Sequence, residues 1–306
     1  MGVQIEAAIA LTSQGPRRPA ARRLADTAAR RCLELAGRQA GDVDLLINAG
    51  MYREDSLAEP ALAALIQEDI GANRGQPPIG GHGTFSFDLL DGACGVINAI
   101  QLESGLLRSG VIRLGAIVTS DVCPELGDGS TAPFAPAGGA MLLRQQPDDT
   151  GFAAFHTQTF PEYEDLFTSG LVWHARRGPR VLSRAAGRNQ MIIDEKPGYQ
   201  ARLADCAEEA ARGFLARLGL SVSDIGLLVP APASGEFLDS LRVRLGIPGD
   251  HVAYPGEDFT AAGTTGPIAA LQAGVTSGRL ADARDTLLLA AGAGITVAMA
   301  LYHQAG

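Results

Sequence analysis

The chain repeats itself, and this constrains its fold more than any local signal does. Residues 92–101 (GACGVINAIQ) align without a gap to residues 263–272 (GTTGPIAALQ), sharing G-x-x-G-x-I-x-A-[I/L]-Q. Each copy then passes through Ser-Gly (Ser109-Gly110, Ser277-Gly278) into an apolar run, LGAIVTS at 114–120 and TLLLAAG at 286–292. A second match pairs residues 26–50 with residues 205–232: apolar residues at three and four spacing, a short turn, then a continuous apolar run. That pattern reads as an amphipathic helix followed by a buried strand. A repeat on this scale organises the whole chain at once.

Each half therefore reads strand, surface helix, strand, connecting helix, short strand, glycine-opened buried helix, strand. The apolar runs at 45–47, 116–119, 227–229 and 287–290 are what a mixed sheet covered by helices on both faces requires. The two GxxG helices are rich in Gly and Ala and nearly uncharged over their first turns, as suits helices buried between two sheets. The predicted class is α/β, with five layers (αβαβα) built from two repeated halves, residues 1–150 and 151–306. The polar turn QQPDD marks the junction within 145–160.

Composition narrows the function. With 46% hydrophobic and 19% charged residues among 306, the chain is neither disordered nor coiled coil. Its net charge is −9, and Lys196 is its one lysine, which argues against nucleic-acid binding and against Schiff-base chemistry. Cys32, Cys94, Cys123 and Cys206 share no metal-binding spacing and the five histidines stand alone, so no metal is expected and a reducing, cytoplasmic setting is. The most apolar stretch, residues 286–301, holds two glycines and is too short to span a bilayer; no membrane or export segment is read. The cluster Arg17, Arg18, Arg22 and Arg23 reads as a solvated helix face, or as a docking face for an acidic carrier protein.

Residues 158–200 break the pattern. They lack a sustained period and mix aromatics with charges, which predicts an irregular cap or loop near a site. Trp173, His174, Glu162, Glu164 and Asp165 are its candidates for lining a tunnel.

Cys94 lies at the start of the first glycine-opened helix. Unpaired N–H groups and the positive end of the helix dipole stabilise a thiolate or an acyl oxyanion there. It is therefore the candidate nucleophile; the other reading is a small buried core residue.

The tandem halves, FDLLDGACG before the first buried helix, VTSD after it, and LLVP with LLLAAGAGITVAMAL at the end, resemble the thiolase superfamily. Within it the chain is most similar to the beta-ketoacyl-acyl-carrier-protein synthase III (KAS III) family, from Ala28 onward, without that family's N-terminal arginine-containing entry motif. The resemblance implies a thiolase-like fold. It also implies a cysteine in a pattern like FDxxAACxGF, a histidine in VPHQAN and an asparagine in GNTSAAS. Carried over, these positions fall on Ala93, Ala231 and Ala261. Cys94 stands one place past the nucleophile, and one residue turns a helix by about 100°. None of the three alanines accepts a proton or donates a hydrogen bond to a thioester oxygen. A local bulge would restore Cys94 to the pocket.

Other features follow the family. GAGIT at 292–296 matches the GGGFT loop, which makes Ala293 and Gly294 candidates for the oxyanion-hole backbone. TFSFD at 84–88 matches the strand that pairs two subunits, so a dimer is expected. The helix after VPHQAN, usually basic for carrier docking, here combines Arg242 and Arg244 with Glu236. Ser234, Thr260, Thr264, Thr265 and Phe134 are the substrate-binding candidates around the pocket. No cofactor is implied; acyl-CoA or acyl-phosphopantetheine would be the substrate.

Three functions fit, all in fatty-acid, polyketide or related specialised metabolism. The first is a non-catalytic subunit paired with an active KAS III-like homologue. The second is an atypical acyltransferase that loads Cys94 from acyl-CoA or acyl-carrier protein. The third is a homodimer that binds an acyl-CoA without turnover.

Overall fold

The first half begins with β1 (Val3–Thr12), α1 (Ala21–Ala36), β2 (Leu45–Asn48), α2 (Leu62–Ile70) and β3 (Phe85–Asp88), then α3 (Gly95–Arg108), β4 (Leu114–Asp121) and β5 (Ala137–Gln145). The computed structural model describes residues 1–13, 20–53, 60–73, 75, 81–122, 135–172, 190–232, 235–259 and 261–304. In the second half, β6 (Gly151–Thr159) precedes β7 (Phe167–Val172) and β8 (Gln190–Glu195). After these come α4 (Tyr199–Arg217), β9 (Leu227–Ala231), α5 (Gly235–Leu245), α6 (Gly266–Thr276), α7 (Arg279–Asp282), β10 (Asp285–Gly292) and β11 (Thr296–His303).

One sheet has the order β1-β5-β4-β2-β3 and the other β6-β11-β10-β9. The pairings repeat: β2 and β9 lie parallel to β4 and β10, while β5 and β11 run antiparallel to them. Two details depart from the sequence expectation. Each half adds an antiparallel strand, β5 or β11, after the strand that follows its buried helix. The short strand expected in both halves forms as β3 in the first, but in the second it is reduced, among the described residues, to one parallel bridge, Leu228 to Val252.

Alternation along the strands builds the layers. In β10, Leu287, Leu289 and Ala291 face α4 and α5, while Leu288 and Ala290 face the interior helices. In β4, Leu114, Ala116 and Val118 pack under α1 and α2, and Ile117 turns inward. The inward set mixes large residues such as Ile117 and Leu288 with Ala290, Ala298 and Ala300, which join Ala99 and Ala270 of α3 and α6 in one cluster, so two sheets close over one helical layer. The five layers are thus α1/α2, sheet, α3/α6, sheet, α4/α5.

The segment expected to be an irregular cap is partly regular. A 3-10 turn at Pro161–Leu166 leads into the antiparallel β7–β8 hairpin, whose base is fixed by Lys196 N–H donating to the Leu166 carbonyl and by Phe167 packing on Tyr199. Among the described residues no helix is long and apolar enough to cross a membrane.

Candidate functional site

Both repeated glycine motifs open with the same bend. Gly92 and Gly263 have φ of 50° and 57°, a left-handed conformation that side chains oppose. Each starts a 3-10 turn, Gly92–Cys94 or Gly263–Thr265, that feeds directly into α3 or α6. The two turns pack against each other, and each also meets the end of a central strand, β10 or β4.

The helical path is already set at Cys94, whose φ and ψ are −81° and −17°. No bulge intervenes. Its side chain is 2% exposed, and the thiol points at two backbone carbonyls, Thr296 O at 3.5 Å and Ala290 O at 3.7 Å. Burial pushes the thiol up to about 12, with the Asp91 charge adding to the effect and a backbone hydrogen bond at Ala298 opposing it. A protonated thiol among core residues lacks the thiolate needed for acyl transfer. Cys94 thus packs in the core cluster that includes Val96, Ile97 and Ala290.

Ala93 occupies the other direction. A Cβ built on Gly292 would lie 3.4 Å from the Ala93 Cβ, so this methyl faces the end of β10 and the turn carrying Ala293 and Gly294. Ala293 is exposed and Gly294 half-buried, with φ of 95° at Gly294 shaping the turn. Ala231 ends β9, buried, in register with Ala290 of β10, so it too sits at this strand end. Ala261 is exposed, and its carbonyl accepts the Ala135 N–H at 2.7 Å. At all three positions the side chain is a methyl, without acid, base or hydrogen-bond donor.

Thr264 and Thr265 lie in the turn that opens α6. Thr265 bonds Thr119 of β4, oxygen to oxygen at 3.0 Å with both buried. The buried Thr264 donates its N–H to Asp121 at 2.5 Å. Ser234, Thr260, Phe134, Trp173, His174, Cys123, Arg17 and Arg18 lie outside the described residues.

Two carboxylates that sequence reasoning did not single out organise the surroundings. Asp121, at the end of β4, also accepts the Met51 and Tyr52 N–H groups at 3.1 and 2.9 Å. Burial pushes its carboxyl up, and the N–H donors from Tyr52, Thr264 and Met51 pull it back. Asp88, at the end of β3, accepts the Leu62 and Ala63 N–H groups that open α2 and pairs with Arg53 at 2.8 Å. The signal in each case was an acid ending an apolar or aromatic run, in VTSD and FSFD.

Residues 215–303 match the family model for the C-terminal part of 3-oxoacyl-[acyl-carrier-protein (ACP)] synthase III. The beta-ketoacyl-[acyl-carrier-protein] synthase III of Acidiphilium cryptum is 28% identical over 283 residues, covering 90% of this chain and 82% of its own. That of Synechocystis sp. is 27% identical over 287 residues, with coverages of 90% and 81%. The chain is KAS III-like. Solved structures share its fold. The Thermus thermophilus beta-ketoacyl-[acyl-carrier-protein] synthase III superposes with a TM-score of 0.76 at 23% identity, over 100% of both chains. Xanthomonas campestris OleA with bound lauric acid and lauroyl-CoA gives 0.79 at 16% identity, over 99% of each.

Proposed function

We propose that this KAS III-like protein is a non-catalytic subunit that pairs with an active KAS III-like ketosynthase in fatty-acid, polyketide or related specialised metabolism. What supports this reading is that the positions aligned by motif with the family's cysteine, histidine and asparagine, Ala93, Ala231 and Ala261, carry methyl groups, while the neighbouring thiol of Cys94 is buried against carbonyls. A ketosynthase needs a nucleophile, a base and an oxyanion donor, and methyl groups supply none of them.

The edge of the first sheet supports pairing. β3 is its outermost strand, and Phe85 on it is 66% exposed beside Phe87, ring centroids 5.4 Å apart. A bare edge strand with an exposed aromatic invites a second strand. The unpaired, buried state of Cys32, Cys94 and Cys206 supports a reducing, cytoplasmic setting. An acyl-CoA or acyl-carrier-protein substrate would then be turned over by the partner's residues.

Co-expression with a homologue from the same genome that retains cysteine, histidine and asparagine tests the reading. A stable 1:1 complex, with ketosynthase activity abolished by mutating only the partner's cysteine, is expected. A homodimer that gains acyl mass from acyl-CoA by intact-protein mass spectrometry, and loses it in Cys94→Ala, would replace the proposal with the acyltransferase. A homodimer that binds acyl-CoA without adduct or turnover would replace it with the binding protein.

A further inference from the structure

Asp88 and Asp121 end two strands of the first sheet, β3 and β4, and residues 48–53 are tied to both. The path of this segment is fixed from its first residue. Asn48, fully buried at the end of β2, accepts the Gly50 N–H at 3.1 Å and donates to the Gly50 carbonyl and to Asp88 Oδ1, each at 3.2 Å. The chain then lies flush on β4. A Cβ at Gly50 would collide with the Ser120 backbone, the Ala49 N–H reaches the Val118 carbonyl at 2.8 Å, and the Val122 N–H reaches the Tyr52 carbonyl at 3.1 Å. Arg53 ends the run. Its guanidinium is joined to Asp88 Oδ2 at 2.8 Å, with the two side chains only 13% and 10% exposed, and it also donates to the Pro60 carbonyl at 3.0 Å.

Both carboxylates are shared. Asp88 serves Asn48 and Arg53 of the segment and also the Leu62 and Ala63 N–H groups that open α2. Asp121 divides its oxygens: Oδ1 takes the Met51 and Tyr52 N–H groups, and Oδ2 takes the Thr264 N–H of the turn that opens α6. Asp121 is fully buried, so water does not replace a donor that leaves, and the loss is felt in full. A carboxylate is planar and its two oxygens move together, so losing the donors on one weakens the hold of the other. Whatever displaces residues 51 and 52 therefore displaces the acceptor on which the α6 turn hangs.

We propose that residues 48–53 form a strap that couples the edge of the first sheet to the opening turn of α6, with Arg53 as its positioning residue. Asp88 is the last residue of β3, the outermost strand of that sheet, so a strand added there acts on the strand that anchors Arg53. The other end of the coupling is the turn that packs against Gly92–Cys94, which carries Ala93. The strap lets the candidate site register whether the edge is occupied. It does not rest on the partner-subunit reading, since every contact in it lies within one chain.

The test is hydrogen exchange of the full chain, read at residues 262–265 and, as an internal control, at the twin turn 92–95. Arg53→Met keeps the apolar stem and removes the charge. It is expected to raise opening of the α6 turn about tenfold or more, as breaking a nearly buried ion pair does, while the turn before α3 changes by less than about twofold. Arg53→Lys keeps the charge without the forked donors, and its effect is expected to fall between wild type and Arg53→Met. Asp88→Asn cuts the same chain of contacts from the other side, so combining it with Arg53→Met is expected to add less than about twofold to the larger single effect. If Arg53→Met does not fold, Arg53→Lys and Asp88→Asn carry the same comparison. Equal opening at the two turns, no change at either, or effects that multiply in the double variant would overturn the proposal.

Discussion

The turn before α3 and the turn before α6 share a backbone and differ in what holds it. Each begins on a left-handed glycine, closes with the third N–H on the carbonyl three residues back, at 3.0 Å for Cys94 and 3.1 Å for Thr265, and runs straight into a helix. The second is tied by polar groups: Asp121 takes the Thr264 N–H, and the Thr119 and Thr265 hydroxyls share a hydrogen bond. The first is held by apolar packing, with the Cys94 thiol lying on the carbonyls of β10 and β11. The repeat thus dictates where chain and helix begin and leaves the chemistry free. Alanine at 93 costs the scaffold nothing, because no bond of the turn depends on that side chain.

The sharpest way to break the comparison is Asp121→Ala. It strands the N–H groups of Met51, Tyr52 and Thr264 together, the first two partly buried and the third fully so, and an unpaired buried donor costs about 1–3 kcal/mol. A loss of about 4 kcal/mol in urea unfolding is expected. A loss below about 1 kcal/mol would mean that the second turn, like the first, stands on packing alone.

A smaller effect separates the two glycines. At Gly92 a Cβ would meet nothing within 4 Å, whereas at Gly263 it would lie 2.4 Å from Asp121 Oδ2. Gly92→Ala therefore carries only the left-handed backbone penalty, about 1–2 kcal/mol. Gly263→Ala carries that penalty and a collision with a buried carboxylate, for about 3 kcal/mol in all. The two sites are in contact, so Gly263→Ala is expected to cost less in an Asp121→Ala background, and that non-additivity isolates the collision. Equal losses at the two glycines in the wild type would contradict the asymmetry.

Much of this was legible in the sequence because a repeat turns one local pattern into two constraints. The aligned GxxG motifs located both turns, and the apolar runs located the central strands. The one-residue offset between Ala93 and Cys94 was also readable, since a helix rotates its side chains by a fixed angle. What stayed hidden depends on partners distant in sequence. Asp121 serves N–H groups of residues 51, 52 and 264, and nothing local to VTSD says so. The Arg22–Asp69 ion pair arises only when α1 and α2 pack. The β7–β8 hairpin escaped notice because its strands alternate weakly, and the reduced strand at Val252 because one bridge leaves no period to read.

The smallest expected change in stability, under about 1 kcal/mol, attends Ala93→Cys, which compares two adjacent residues of one turn. Position 93 faces the end of β10, where Gly292 offers no side chain to collide with. A thiol there lies at the N-terminal end of α3, where the helix dipole and free N–H groups lower a thiol's pKa. Cys94, with its thiol near 12, is expected to stay inert to iodoacetamide at pH 7.5. The introduced cysteine is expected to alkylate at least about a hundredfold faster, a ratio set by the difference in thiolate fraction. Peptide mapping distinguishes the two sites. Equal reactivity would mean that the slot at 93 has closed and that the turn kept its path without keeping a pocket; fast reaction at 93 alone would show that this slot accepts a reactive thiol beside a core that holds Cys94 inert.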